Sequence, residues 1–140
     1  MNSLCILLTD YESINEPIIL NSYRHLLKSK IKKIYFIGSK DKFKKIYIKF
    51  KKKKKFKFLD IKYNKDNVLI YLQKITKKSI KIFNKNKKTI ILNMPIDKKK
   101  FLNNSFPGFT EFFSHILDKK NNENMLLYND KSFSVCPLTT

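Results

Sequence analysis

Alanine and tryptophan do not occur in this chain of 140 residues, and glycine and cysteine occur only twice each. Two cysteines, Cys5 and Cys136, far apart and in apolar surroundings, exclude a disulfide-dense secreted scaffold and read as buried free thiols of a reducing compartment. Two glycines, Gly38 and Gly108, are too few for a Gly-x-Gly-x-x-Gly turn or a phosphate-cradling loop. No His-x-x-x-His or Cys-x-x-Cys pair is present to suggest a local metal site. No apolar run approaches the ~18–20 residues of a membrane span. The opening "MNSLCILLTDYESINEP" lacks the basic segment of a signal peptide. A cytoplasmic location with no membrane partner is expected. Arginine is nearly missing too: of 31 basic residues only Arg24 is one. A net charge of +20 first suggests a polyanion partner. Lysine without arginine, together with abundant Ile, Asn, Phe and Tyr, is instead the residue usage of A/T-rich codons. A nucleic-acid site would favour arginine for bidentate contacts, so no nucleic-acid partner is expected.

What is present is enough for one folded domain. Hydrophobic residues make up 42% and aromatics 14%, which excludes a disordered tail. Short apolar runs read as strands at Ser3–Leu8, Lys33–Ser39, Lys55–Ile61 and "KTIILNMP". Between them, helical periodicity appears after Glu16-Pro17, with Ile18, Ile19, Tyr23, Leu26 and Leu27 on one face. It recurs around Phe43, Ile46, Tyr47 and Phe50, where strand alternation also fits. It is clearest in "DNVLIYLQKITKKSIKIFNKN", with Asp66 or Asn67 as cap and Val68, Leu69, Leu72, Ile75, Ile82 and Phe83 as the apolar face. A short helix from Asp97 to Asn104, a helix "TEFFSHILDKK" and two strands, "NMLLYND" and "FSVCPLTT", follow. This alternation predicts one α/β unit over residues 1–140, a layered and largely parallel sheet flanked by helices. The last strand runs to Thr140 without a stop signal, so the chain reads as the front of something longer.

Candidate functional residues are few. Asp10 and Glu12 follow the first strand, where open sheets place ligand contacts, but they also suit a turn. His25 and His115 fall inside predicted helices and read as surface histidines. "NMPIDKKKF" ends a strand and starts a helix at Asp97-Lys98, a place where an anion can be held. In "SFPGFTEFFSHIL", Gly108 follows Pro107, where a positive φ or a close ligand approach would call for glycine. Thr110 then stands at the expected N-cap.

These last two stretches carry a resemblance. Pro95-Ile96-Asp97-Lys98, a short helix, and then Phe106-Pro107-Gly108-Phe109-Thr110-Glu111-Phe112-Phe113 resemble two blocks of the 4-hydroxythreonine-4-phosphate dehydrogenase family of pyridoxal phosphate (vitamin B6) biosynthesis. That family carries Pro-Ile/Val-Asn/Asp/His-Lys and Phe-Pro/Thr-Gly-His-Thr-Glu-Phe-Phe/Leu at similar spacing. "SFSVCPLTT" resembles the strand leading to the family's Thr-Thr-His-Ile/Leu-Pro-Leu. "LTDYESINEPIIL" resembles, less closely, its Thr-x-Gly-Asp-Pro-Ala-Gly-Ile-Gly-Pro-Glu.

The resemblance implies the N-terminal portion of a larger two-domain, isocitrate-dehydrogenase-like fold. It implies NAD-dependent oxidation of a small phosphorylated substrate followed by loss of carbon dioxide, and a divalent metal held by three histidines at a homodimer interface. It makes Thr110 and the position of Phe109 substrate-binding. The family has histidine where Phe109 stands, and phenylalanine cannot hydrogen-bond to a phosphate. Ser13 and Asn15 replace glycines of the first loop. The metal histidines and the later substrate-binding lysine, asparagine and arginine would lie beyond Thr140. The expected partners are therefore a second copy, as in the family homodimer, or a separate C-terminal chain. Two other readings stay open: a small basic polyanion binder using Lys51–Lys55, Lys77, Lys78 and Lys98–Lys100, and a non-functional remnant.

Overall fold

Strand β1 (Ser3–Leu7) is buried over its whole length. A strand without a single polar face has to be covered on both sides, and this one lies inside a parallel sheet. The computed structural model describes residues 2–102 and 104–117 in full, and the backbone of Leu127–Asp130 and Phe133–Val135. β1 pairs in parallel with β2 (Lys33–Gly38) on one side and β4 (Thr89–Asn93) on the other. β2 pairs in parallel with β3 (Phe56–Asp60), giving the order β3-β2-β1-β4.

The helices divide between the two faces by the period-two alternation of the strands. Leu4, Ile6 and Leu8 of the β1 segment, Ile34 and Phe36 of β2 and Phe56 of β3 form one core with Ile19, Phe43, Ile46 and Phe50. Those four come from α1 (Asn15–Asn21), α3 (Lys44–Phe50) and the residue before α3. Cys5, Leu7 and Ile37 face the other way. They meet Tyr71, Leu72 and Ile75 of α4 (Val68–Lys85), Phe101 and Leu102 of α5 (Lys98–Leu102), and Phe112 of α6 (Phe109–Ile116). The remaining strands, β5 (Leu127–Asp130) and β6 (Phe133–Val135), form an antiparallel pair of their own. Cys136 lies outside the described residues.

The expected elements are in place, with some corrections. The helix after Glu16-Pro17 breaks at Ser22 into α1 and α2 (Tyr23–Lys28). Of the face expected there, only Ile19 is buried, and Ile18 and Leu27 are exposed. The ambiguous stretch after Phe43 is helical, and Ile48 is exposed because only one side of α3 meets the sheet. Asn67, not Asp66, caps α4: its Oδ1 accepts from the Ile70 N–H at 3.0 Å, an interaction worth ~1 kcal/mol.

Two corrections concern the stretch before α6. The helix begins at Phe109, so Gly108 is the cap residue and Thr110 lies inside the first turn. Gly108 has φ −159° and ψ −178°, extended backbone open to any residue. The positive φ lies at Asn104 instead, at 55°.

Candidate functional site

The strand order places a reversal between β1 and β4. From β1 the chain moves outward to β2 and β3, then crosses back to β4 on the other side. Loops leaving the carboxyl ends of two such strands diverge, and the crevice between them is where open α/β sheets bind ligands. Here the crevice lies between Thr9–Asn15 and Met94–Asp97.

Asn15 and Thr9 stitch its floor together. The Asn15 Nδ2 donates to Asp10 O at 2.9 Å, Pro95 O at 3.0 Å and Thr9 Oγ1 at 3.2 Å. Two of these partners are carbonyls, which can only accept, so the amide orientation is fixed. The Thr9 hydroxyl is shared between Met94 O at 3.3 Å and Pro95 O at 3.2 Å. Both side chains are fully buried, and Asn15 Oδ1 has no hydrogen-bond partner among the described residues. The Ser13–Asn15 turn, glycine-bearing in the resembled family, is thus closed by a side chain.

A charged cluster sits above this floor. Asp10 Oδ1 accepts from the Glu12 N–H at 3.1 Å, and its Oδ2 from the Asp97 N–H at 3.4 Å. Asp97 Oδ1 accepts from the Lys100 N–H at 3.1 Å, capping α5. The Lys100 ammonium reaches Glu12 Oε2 at 2.6 Å and Asp10 Oδ1 at 3.9 Å. The start of α5 is therefore occupied by the protein's own carboxylates, which corrects the expectation of an anion site at Asp97-Lys98. Tyr11 meets Tyr63 edge to face with centroids 5.2 Å apart, and the Lys42 ammonium lies 4.4 Å from the Tyr11 ring centroid.

Tyr71 holds the neighbouring end of the sheet. Its hydroxyl donates to Leu8 O at 2.6 Å and accepts from the Ser39 N–H at 3.1 Å, tying β1 to β2. This contact is possible because residue 38 has no side chain. A Cβ on Gly38 would sit 2.6 Å from Leu8 Cβ, 2.8 Å from the Tyr71 hydroxyl and 2.9 Å from Leu8 O.

The protonation shifts all run away from neutrality. Hydrogen bonds from Lys100 and then Tyr11 lower the Glu12 pKa, while the bond to Glu12 raises that of Lys100. Tyr11 is raised by its hydrogen bond to Glu12, and Tyr63 and Tyr71 by burial. Burial pushes the Cys5 thiol up to about 12. General acid–base catalysis needs groups moved toward the working pH. None of these groups is moved toward neutrality, and the Lys100–Glu12 ion pair at 2.6 Å ties the loop after β1 to α5.

The sequence-predicted residues separate accordingly. Asp10, Glu12 and Asp97 come together through Lys100. Thr110 and Phe109 stand on α6, which packs against α4 and α5. The Phe109 ring joins the apolar cluster there, 5.6 Å from Phe112 and 6.0 Å from Phe113 by centroid. His25 is exposed on α2 and His115 on α6, on opposite faces of the sheet. The lysine clusters are partly committed to the fold. Lys55 Nζ donates to Leu27 O at 3.0 Å and Ser29 O at 2.6 Å at the end of α2, and Lys33 Nζ to Lys54 O at 2.7 Å. Thr9 and Tyr71 were not predicted, Asn15 was expected only as a replaced glycine and Lys100 only as one of a polyanion-binding run. Their partners lie across the sequence, and only the position of Thr9 and Asn15 just past a strand could have pointed to them.

No family model and no curated protein matches this chain by sequence. Its fold is that of a solved structure, a 4-hydroxythreonine-4-phosphate dehydrogenase from Burkholderia phymatum, with a TM-score of 0.68 at 13% identity. The match covers 92% of this chain and 47% of that one, so the chain spans about half the length of that dehydrogenase. The α/β architecture with a parallel sheet is shared.

The described residues hold no metal centre of their own. Among them no group of three or more His, Cys, Asp or Glu side chains could hold a metal ion. Among the described residues, no helix is long and apolar enough to cross a membrane.

Proposed function

We propose that this chain is a 4-hydroxythreonine-4-phosphate dehydrogenase-like unit that binds a small phosphorylated hydroxy-amino acid. The observation that carries the reading is the overlay of 92% of the chain on that dehydrogenase fold. It comes with the Pro95–Lys98 and Phe106–Phe113 blocks in the expected order, the first at the sheet's reversal and the second opening α6. In this reading Thr110 contacts the phosphate end of the substrate and Phe109 occupies a second binding position without a hydrogen-bonding group. The Glu111 carboxylate lies over Gly108, its Oε2 2.9 Å from where a Cβ would be, so an entering phosphate has to displace it. The Lys100–Glu12 ion pair, at 2.6 Å, ties the loop after β1 to α5. Oxidation with NAD and a divalent metal belongs to the complete enzyme of this kind, and no oxidation step is assigned to the described residues. A cytoplasmic setting accords with the buried, unpaired thiol of Cys5.

The test restores the missing donor. With Phe109→His, titration calorimetry with 4-phosphohydroxy-threonine should show tighter binding. A hydrogen bond to a charged group is worth ~1.5–3 kcal/mol, roughly ten- to hundred-fold in affinity. Thr110→Ala in that background should remove part of the gain. Unchanged binding in a folded Phe109→His protein, with Thr110→Ala altering only the melting temperature, would leave α6 as scaffold and sink the reading.

A further inference from the structure

Lysine is not spread evenly over this chain. Residues 40–57 hold eleven lysines against one acidic residue, Asp41, while α4, of equal length, holds five lysines. Codon usage accounts for lysine in place of arginine, but not for its concentration around α3. Lys44, Lys45, Lys49 and Lys51–Lys54 are exposed there. Apolar side chains are exposed among them. Ile48 of α3 is 52% exposed, and Ile14 and Ile18, one turn apart at the start of α1, are 60% and 39% exposed. The inward residues Ile19, Ile46 and Phe50 already fill the core, so these isoleucines form a second, outward apolar face. Glu16 and Lys45, 3.3 Å apart, join the first turns of α1 and α3. Leu20 and Ile48 line an open depression there, with Lys45 and Lys49 beside it.

We infer that this face docks on an anionic lipid bilayer, with Ile14, Ile18 and Ile48 entering the headgroup layer and the lysines around them meeting lipid phosphates and carboxylates. Charge complementarity selects an anionic occupant, and the isoleucines select among anionic occupants. A nucleic-acid backbone offers nothing to an exposed isoleucine, and phosphate recognition there favours the arginine fork. An acidic protein helix needs a groove with walls, and the depression between α1 and α3 is open. A bilayer takes up scattered apolar side chains whatever their spacing and attracts lysine as a diffuse charge. Glu16, the carboxylate between the two helices, is already paired with Lys45 and does not oppose the approach. Surface attachment needs no spanning run, the feature on which the expectation of no membrane partner rests. The inference is independent of the substrate proposed above.

Co-sedimentation with vesicles of phosphatidylcholine and phosphatidylserine in equal parts reads the outcome. Binding is expected there, absent from pure phosphatidylcholine and weakened by sodium chloride. Lys44→Gln, Lys49→Gln and Lys52→Gln together should weaken it about a hundred-fold, at about five-fold per lysine. Lys74→Gln, Lys77→Gln and Lys81→Gln remove the same charge from exposed positions of α4 on the other side of the sheet, and should cost far less. Ile18→Ser with Ile48→Ser, at constant charge, should cost about ten-fold. The chain has no tryptophan, so Ile48→Trp supplies a single reporter whose emission should move to the blue on adding the vesicles. No binding by the wild-type chain, equal losses from the α3 and α4 sets, or binding undiminished by the two serine substitutions overturns the inference. Should a set of variants fail to fold, the Ile48→Trp reporter decides, and unshifted emission overturns the inference equally. A blue shift with an acidic amphipathic peptide but not with vesicles would assign the face to a protein partner, and tighter, isoleucine-independent binding to duplex DNA would assign it to nucleic acid; either result also overturns it.

Discussion

The chain's two glycines stand in opposite circumstances. Gly38 ends β2 where three groups converge, two of them parts of Leu8 in the adjoining strand segment. Gly108 opens α6 in ordinary extended backbone, with only the far end of the Glu111 side chain close by. The resemblance drew attention to Gly108, yet Gly38 is the one that the fold cannot replace. A glycine matters by what approaches it. At Gly38 it is a backbone carbonyl and a phenol already bonded to each other, neither of which can step aside without breaking the tie between β1 and β2.

This contrast can be broken or sharpened by substitution. Gly38→Ala should have the largest effect, destabilising by about 3 kcal/mol because a buried atom is forced into backbone that cannot move. A loss under ~0.5 kcal/mol in urea unfolding, the range of an ordinary surface change, would show that the sheet end yields. Tyr71→Phe comes next, at about 2 kcal/mol, since it strips the buried Leu8 carbonyl and Ser39 N–H of a shared partner. The two substitutions should be less than additive, as the absent hydroxyl removes one of the three close contacts; strict additivity would mean that Tyr71 shifts freely. Gly108→Ser should do the reverse and stabilise by ~0.3–0.5 kcal/mol. Serine at a cap, with Glu111 three residues on, completes a capping box. An unchanged or lowered melting temperature would show that the Glu111 carboxylate cannot make room.

The smallest effect expected is that of Glu12→Gln. The folded Glu12 pKa lies below its ordinary value, so its pairing with Lys100 contributes above the ordinary glutamate pKa of ~4.3 and is lost as pH falls through the folded value. The substitution should therefore lower the melting temperature slightly at neutral pH, and the difference should vanish in acid. A difference independent of pH would assign it to packing.

The fold was legible where periodicity and sheet arithmetic apply. Uninterrupted apolar runs marked β1 and β4, and the long 3.6-residue rhythm after Asn67 marked α4. The break at Ser22 was not legible, because no proline or glycine announces it. The site was less readable. Asp10, Glu12 and Asp97 stand where a sequence puts them, just past strands, but their common partner Lys100 was one lysine in a run of three. Asn15 looked like a lost glycine and proved to be a pin across the crevice. Tyr71 falls on the buried face of α4, yet nothing local shows that its hydroxyl bridges two strands. What a sequence hides most completely is a hydrogen bond whose partner is a backbone atom far along the chain, because any residue could supply that carbonyl.

The central position of β1 has a consequence for synthesis. Ser3 and Thr89 share a hydrogen bond across 86 residues, so the first strand made receives its second neighbour only after β2, β3 and α4 have been made. At ~5–20 residues per second, that leaves one side of an uncharged strand open on the ribosome for on the order of ten seconds. During that interval the nascent protein has the shape of a sheet ending in β1, a sticky boundary lacking any lysine. Slowing translation between Phe56 and Thr89 should lengthen that exposure and raise the demand for a chaperone at the exit tunnel.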